Sequence, residues 1–410
     1  MVVTPSELPL FYYFCVAMFV VIILILSLLV VLADWVAYRK YVATSGCIYW
    51  RWGVAAFFVA SNLLPYIAMM KMWLTDASSM KSIMWLLTLY TLLSLMRVAL
   101  YIGILLIKNR YAKWAVGLSF CTIVACVMVV GVVHTRKALT VKSVEISSER
   151  LPQSFDGYRI AFFSDLHIGT MPSVVAMCRK IAGYVNLLDA DLVVFGGDLI
   201  NVRYDELTRR LQTILGGIEA RDGVVAVLGN HDTGVYVRDT VALPIEENTR
   251  LLVERMKAMG WRVMNDESEL IVRGDDTITL TGIGFSRELL KHRHSANVAD
   301  SLDLQPVYKG VSRGRFNITI SHMPQLWRKI AALGYGDLVL SGHTHAMQMK
   351  GCIGDYEFSP AQFMYREWSG LYNEDSSHLY ITDGVGNVGF HLRIGAPPEV
   401  TLLTLRCNSD

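Results

Sequence analysis

The chain has 410 residues, of which 53% are hydrophobic and 18% charged, with a net charge of +2. Its mean hydropathy of +0.38 is too high for a simple soluble enzyme, and so much Leu, Val, Ile and Met excludes disorder, collagen and coiled coil. The charge is unevenly divided: residues 1–137 hold 11 Lys and Arg against 3 Asp and Glu, and the remainder holds 27 against 33. A basic, apolar front followed by an acidic, ordinary back predicts a membrane region over 1–137 and a globular domain over 142–410. The 7 cysteines are scattered and odd in number, so no disulfide framework is implied.

Leu10–Leu32 is an uncharged apolar run, long enough to cross a bilayer core of about 30 Å. A signal peptide fits it poorly, because no basic stretch precedes the run and Asp34-Trp35 follows where small residues belong. Three further spans are predicted, at Val54–Met70, Ile83–Ile107 and Trp114–Val133, which makes an all-α region of four membrane helices. Trp35, Trp50, Trp52, Trp73, Trp85 and Trp114 fall at span ends, as an interfacial belt requires. Lys and Arg are level on the two sides, but Arg39-Lys40 follows the first helix and none precedes it. That bias predicts an outer N-terminus and, after four crossings, a globular domain on the extracytoplasmic face. Arg97 lies inside the third span, where a charge costs at least about 2.5–3.5 kcal/mol. It is expected to face the bundle or snorkel, satisfied by a neighbour such as Asn62 or by water, ahead of a role in binding an anionic head group. Pro65 is expected to kink the second span.

From about Lys142 short β-branched runs alternate with amphipathic segments. Strands are predicted at Arg159–Phe163, Leu192–Phe195, Val224–Leu228, Ile278–Ile283, Ile318–Ser321, Leu338–Ser341, Leu379–Thr382 and Val400–Leu405. Helices are predicted at Val174–Asn186, Leu207–Leu215, Ile245–Met259 and Gln325–Leu333. This alternation indicates an α/β domain.

Polar residues cluster just beyond these strands. Ser164-Asp165-Leu166-His167 follows the first, Gly196-Gly197-Asp198 the second and Gly229-Asn230-His231-Asp232 the third. Later strands run into His322 and into Gly342-His343-Thr344-His345. Ligand sites in α/β sheets form beyond the carboxyl ends of strands, so five such ends would converge on one patch. Asp165, His167, Asp198, Asn230, His322, His343 and His345 then offer seven mixed oxygen and nitrogen ligands, too many for one tetrahedral zinc. Such a set suits manganese first, with iron or zinc as alternatives. With one bridging carboxylate it would satisfy two divalent metal ions about 3.5–4 Å apart, the arrangement used for phosphoester displacement. Gly197, Gly229 and Gly342 would let backbone approach the metals closely.

These blocks resemble the calcineurin-like metallophosphoesterase family, whose successive motifs D-x-H, G-D, G-N-H-D/E, H and G-H-x-H are matched at Asp165/His167, Gly197/Asp198, Gly229–Asp232, His322 and Gly342–His345. The segments Tyr380–Gly389 and Arg393–Glu399 resemble its transmembrane branch. One departure is local: where that branch commonly has Gly-Gly-Gln, this chain has Ala346-Met347-Gln348, which is expected to spare the metals and alter the substrate loop. The resemblance implies an αββα sandwich of two sheets. It implies a first metal held by Asp165, His167, Asp198 and His345, and a second held by Asp198, Asn230, His322 and His343. A hydroxide between them would attack phosphorus in line. His231 would protonate or hydrogen-bond the departing oxygen, and Asp232 would orient that imidazole through its second nitrogen, a turn cap being the equal alternative.

Phe358–Tyr372 is rich in aromatics and is expected to pack on the domain or to meet acyl chains. With the membrane region, it motivates a phosphoester or pyrophosphate substrate that includes phospholipids and lipid-linked pyrophosphates. The acidic balance of residues 138–410 disfavours nucleic acid as a partner. A metal-containing sensor or scaffold with little turnover is the alternative class, and a transporter ranks below both.

Overall fold

The computed structural model describes residues 27–74, 80–237, 243–285, 289, 302–354 and 356–408. It divides into two compact units, one ending at Val130 and the other running from Gly131 onward. Most of the predicted Leu10–Leu32 span lies outside the described residues; residues 27–37 are helical and pass into a π-helical turn, Tyr38–Val42.

Three helices follow: α1 (Ile48–Leu74), α2 (Met80–Leu106) and α3 (Ala112–Val133). Each is long and apolar enough to cross a membrane. They cover the three later predicted spans, and α1 runs unbroken through Pro65. Trp50 and Trp52 are exposed, as residues at a membrane interface should be.

Arg97 on α2 is 6% exposed and pairs with Asp34 at 2.5 Å. Asn62 Nδ2 and the Tyr101 hydroxyl also donate to Asp34, at 2.7 and 2.6 Å. The guanidinium further donates to the Leu93 carbonyl and to Ser94 Oγ. The neighbour that neutralises Arg97 is therefore a carboxylate from the helical residues 27–37, which precede α1. Asn62 belongs to the cluster but serves Asp34.

The second unit contains two six-stranded mixed sheets. In the first, β1 (Thr140–Ser148), β14 (Glu399–Cys407), β2 (Arg159–Phe163), β3 (Leu192–Phe195), β4 (Val224–Ala226) and β5 (Trp261–Val263) lie side by side in that order. The second runs β12 (Gly370–Glu374), β13 (Ser377–Ile381), β9 (Leu338–Ser341), β8 (Asn317–Ser321), β7 (Asp276–Ile283), β6 (Glu267–Arg273). A short hairpin, β10 (Gly351–Ile353) with β11 (Tyr356–Phe358), stands apart from both.

Alternation along the strands decides what each face covers. Ile160, Phe162, Leu192 and Val194 share one buried cluster with Ile278, Leu280, Ile318, Ile320, Leu338 and Leu340, so the sheets pack face to face. The intervening residues Ala161, Phe163, Val193 and Phe195 point the other way. They pack against the apolar faces of α4 (Val174–Leu187), α5 (Arg209–Leu215) and α6 (Ile245–Ala258). On the second sheet, Val339, Leu379 and Ile381 join the same cluster as Trp327 and Ile330 of α7 (Trp327–Ala332). The central strands β2, β3 and β4 are parallel, as are β7, β8 and β9. Their carboxyl ends therefore open in one direction within each sheet.

Removing one partner of a buried ion pair costs about 3–5 kcal/mol, whereas replacing both with apolar groups is often neutral. Asp34→Leu should accordingly lower the melting temperature of the detergent-solubilised protein by several degrees. Asp34→Leu combined with Arg97→Met should recover most of that loss.

Candidate metal centre

The loops after β2, β3, β4, β8 and β9 bring all seven predicted ligands together. Ligand atoms of Asp165, His167 and His345 lie within 4.8 Å of one another. Those of Asp198, His322 and His343 form a second such group, and His167, Asp198 and His231 a third. Asp198 joins the groups through one oxygen: Oδ2 is 3.2 Å from His322 Nε2 and 3.6 Å from His167 Nε2. Its other oxygen accepts the His231 backbone N–H at 2.8 Å.

The spacings test whether cations fit. Cis ligands about 2.1 Å from a common metal lie about 3.0 Å apart. Asn230 Oδ1 and His343 Nδ1 are 3.0 Å apart, His167 Nε2 and His345 Nε2 3.1 Å, and Asp165 Oδ1 and His345 Nε2 3.2 Å. The donor chemistry agrees. His322 Nδ1–H donates to the Gly196 carbonyl at 2.8 Å, which turns Nε2 toward Asp198. That buried Nε2 has no hydrogen-bond partner. A lone pair facing a carboxylate at this range needs a proton or a metal cation between them.

Electrostatics point the same way. Burial disfavours a cation on His322, yet the adjoining Asp198 outweighs it and lifts the imidazole to about 9. Burial would raise Asp165, but His345 and then His322 hold its carboxyl below the ordinary range. Asp198 is likewise held well below it, against burial, by His322 and His231. The site thus favours ionised carboxylates with positive charge beside them, which is what a divalent cation supplies.

Close approach requires unusual backbone. Asp165, His167, Asp198, His343 and His345 all have left-handed φ, between +47° and +73°. A Cβ on Gly229 would fall 2.1 Å from Asp198 Oδ1, so a side chain there would displace the Asp198 carboxylate.

Asp232 takes the second of its two expected roles. Its carboxylate accepts backbone N–H groups from Asp198, Leu199, Ile200 and Gly229 at 2.7–3.1 Å. His231 Nδ1–H donates instead to the Asn201 carbonyl at 2.8 Å. The turn-cap alternative is the one adopted, and the cap ties the loop bearing Asp198 to the loop bearing Asn230. Burial, and then the charge of Asp198, push the Asp232 carboxyl up to about 7, against those donors. Burial likewise lowers the His231 imidazole.

Arg393 supports the site from outside the motifs. Fully buried, it donates to the carbonyls of Asp383, Gly384, Gly386 and Ala396 at 2.7–3.0 Å. The loop it staples returns a Gly386 N–H to the Asp165 carbonyl at 2.7 Å. Arg393 opens the stretch Arg-Ile-Gly-Ala-Pro, which in the sequence reads only as resemblance to the transmembrane branch and does not announce this role.

The aromatic segment divides. Tyr365 is buried with its hydroxyl 3.5 Å from His343 Nε2, and Thr344 Oγ1 donates to the Trp368 carbonyl at 2.6 Å. Phe363 is 84% exposed, and Tyr356, Phe358 and Met364 are also exposed.

The sequence pattern of the calcineurin-like phosphoesterases matches residues 158–347. A zebrafish (Danio rerio) transmembrane protein with metallophosphoesterase domain is 30% identical over 74% of this chain and 68% of that protein. The chain spans about two thirds of the length of such vertebrate relatives. The UDP-2,3-diacylglucosamine pyrophosphatase LpxG of Chlamydia muridarum is 26% identical over 63% of this chain and 87% of its own. The phosphodiesterase YaeI of Escherichia coli is 25% identical over 60% and 82%.

Ala346 and Met347 both adopt left-handed φ, +47° and +46°. L-residues pay roughly 1–2 kcal/mol there. Ala346→Gly should therefore raise the melting temperature of the metal-free protein, measured by differential scanning fluorimetry.

Proposed function

The chain belongs to the calcineurin-like metallophosphoesterase family, and from that premise we propose that it is a membrane-anchored phosphohydrolase with a dinuclear metal centre. The single observation that carries the reading is Asp198 Oδ2, placed between His167 and His322. In this reading Asp165, His167, Asp198 and His345 hold one cation, and Asp198, Asn230, His322 and His343 hold the other. When bound, the two cations supply an activated water and positive charge for the phosphoryl oxygens.

The remaining work falls to the chain. The Asp165 and Asp198 carboxylates stay ionised and fix the spacing of the ligands. The Asp232 carboxylate, by gathering four backbone N–H groups, stops the two ligand loops from drifting apart. His231 has Nδ1 committed to Asn201, which leaves Nε2 to hydrogen-bond or protonate the departing oxygen. Tyr365 steadies His343 from its far nitrogen.

The substrate class in this reading is a phosphoester or pyrophosphate carried on a lipid. Three apolar helices precede the domain in the chain, and Phe358, Phe363 and Met364 offer exposed apolar surface in the segment that also carries Tyr365. The lipid substrate in LpxG's name is consistent with this choice. Manganese is the metal proposed first, with iron or zinc as alternatives, and the extracytoplasmic face is the proposed side. An impermeant maleimide that fails to reach exposed Cys352 on intact cells would refute that orientation.

Purified full-length protein in detergent should hydrolyse phosphoesters with Mn²⁺ and lose activity on chelation. Asp198→Asn should abolish both activity and paired metal binding. His231→Ala should lower kcat by about 10²–10⁴-fold while both metals remain bound. Equal turnover of lipid-borne and water-soluble phosphoesters would count against the lipid assignment alone.

A further inference from the structure

Asn230 and His231 share a neighbour for which the catalytic reading has no role. Thr233 and Gly234 turn the chain after the ligand loop: Thr233 Oγ1 donates to the Asn230 carbonyl at 3.0 Å, and Gly234 has a φ of +70°. The turn carries Tyr236 back over the loop. Asn230 Nδ2 donates to the Tyr236 hydroxyl at 3.0 Å. The Tyr236 ring stacks on the His231 imidazole, with centroids 4.4 Å apart and planes 25° from parallel.

These contacts bear on metal binding. A carboxamide has nearly the same outline at both ends, but only its oxygen can ligate a cation. Here the nitrogen end is held by the phenol, and the oxygen end stands 3.0 Å from His343 Nδ1. The inverted amide would aim N–H groups at the cation position. Hydrogen bonding at the nitrogen also polarises the amide and strengthens its oxygen as a ligand. The imidazole is constrained in a complementary way. The Asn201 carbonyl fixes one nitrogen of His231, the His167 ring meets it edge to face with centroids 4.8 Å apart, and Tyr236 covers its flat face.

We propose that Tyr236 is a positioning residue for the metal centre: its hydroxyl holds the Asn230 oxygen toward the second cation, and its ring sets the plane of His231. The proposal rests on the reading of Asn230 as a ligand. One side chain outside the recognised motifs thus couples the quality of the second metal site to the orientation of the residue facing the leaving group.

The test is titration of the metal-free, full-length protein with Mn²⁺ against a chelator of known affinity, with Asn230→Ala as the reference. Asn230→Ala should weaken one of two classes of site. Tyr236→Phe, which keeps the ring and deletes the hydroxyl, should weaken that same class by about 10–100-fold and leave the other unchanged. Tyr236→Leu should in addition shift the His231 ring resonances in histidine-labelled protein, which Tyr236→Phe should leave in place. Wild-type affinity in Tyr236→Phe beside an impaired Asn230→Ala would overturn the proposal. So would parallel loss of both classes together with a lower melting temperature of the metal-free Tyr236→Phe protein, since that pattern marks a general structural role. If Asn230→Ala binds metal like the wild type, the ligand assignment falls and takes this inference with it.

Discussion

One oxygen atom organises the second unit. Asp198 Oδ2 faces imidazole nitrogens from two directions, and with its Nδ1–H committed to Gly196 a neutral His322 offers it only a lone pair. The carboxylate and the lone pair of His322 repel unless positive charge lies between them. Every neighbouring feature serves this crowding. Gly229 has no Cβ because the carboxylate occupies its place, and the His231 N–H holds the second oxygen aside. Asp232 binds the loops on either side so that they cannot relax apart. A centre of this kind is stable as a ligand set only when loaded, which links metal affinity to the conformation of the surrounding loops.

How much of this was readable from sequence follows a physical line. The eight predicted strands are the eight interior strands of the two sheets: β14, β2, β3 and β4 in one, β13, β9, β8 and β7 in the other. Within those two sheets the four that escaped, β1, β5, β6 and β12, are the four edges, and the separate β10–β11 hairpin escaped as well. An interior strand is covered on both faces and writes a β-branched run into the chain. An edge strand is partly solvated and reads as polar, as Glu267–Arg273 does with most of its residues exposed. The ligand loops were legible because each follows an interior strand. For Asp232 two roles stood level in the sequence, orienting His231 and capping a turn, and only the fold decides between them. Adjacency in sequence suggested the imidazole, whereas the carboxylate turns toward N–H groups of a loop some thirty residues away. Arg393 and Tyr236 act on the centre through backbone carbonyls and an amide, contacts that leave no pattern of their own.

The membrane unit shows the same asymmetry. A charge within an apolar run announces itself, so Arg97 was conspicuous. Its partner was not: Asp34 stands at the end of an apolar run, where a charge is unremarkable in sequence. Only folding brings it to Arg97, Asn62 and Tyr101. Three donors on one carboxylate make the cluster neutral in sum and nearly complete in hydrogen bonding, which is the condition for burying it among apolar helices. The pair therefore reads as a fastening between helices, and the lipid-binding alternative loses its motive.

Backbone strain connects ligand geometry to the supports around it. Five of the seven candidate ligands occupy left-handed conformations, where glycine would be at ease but could offer no ligand atom. The chain resolves this conflict with Asp and His, the residues that tolerate the region best among those able to ligate. Even so, five such positions cost several kcal/mol together. The offset is local and polar: Asp232 and Arg393 spend buried, charge-assisted hydrogen bonds on the loops that carry the strain. At Ala346 and Met347 the same conformation is imposed without a ligand to justify it. The path of the backbone there is dictated by His345 on one side and by Gln348 on the other, whose side chain holds the Val388 carbonyl and amide. Strain in this domain is thus set by where the ligands and their anchors must stand, and the residue type between them is secondary.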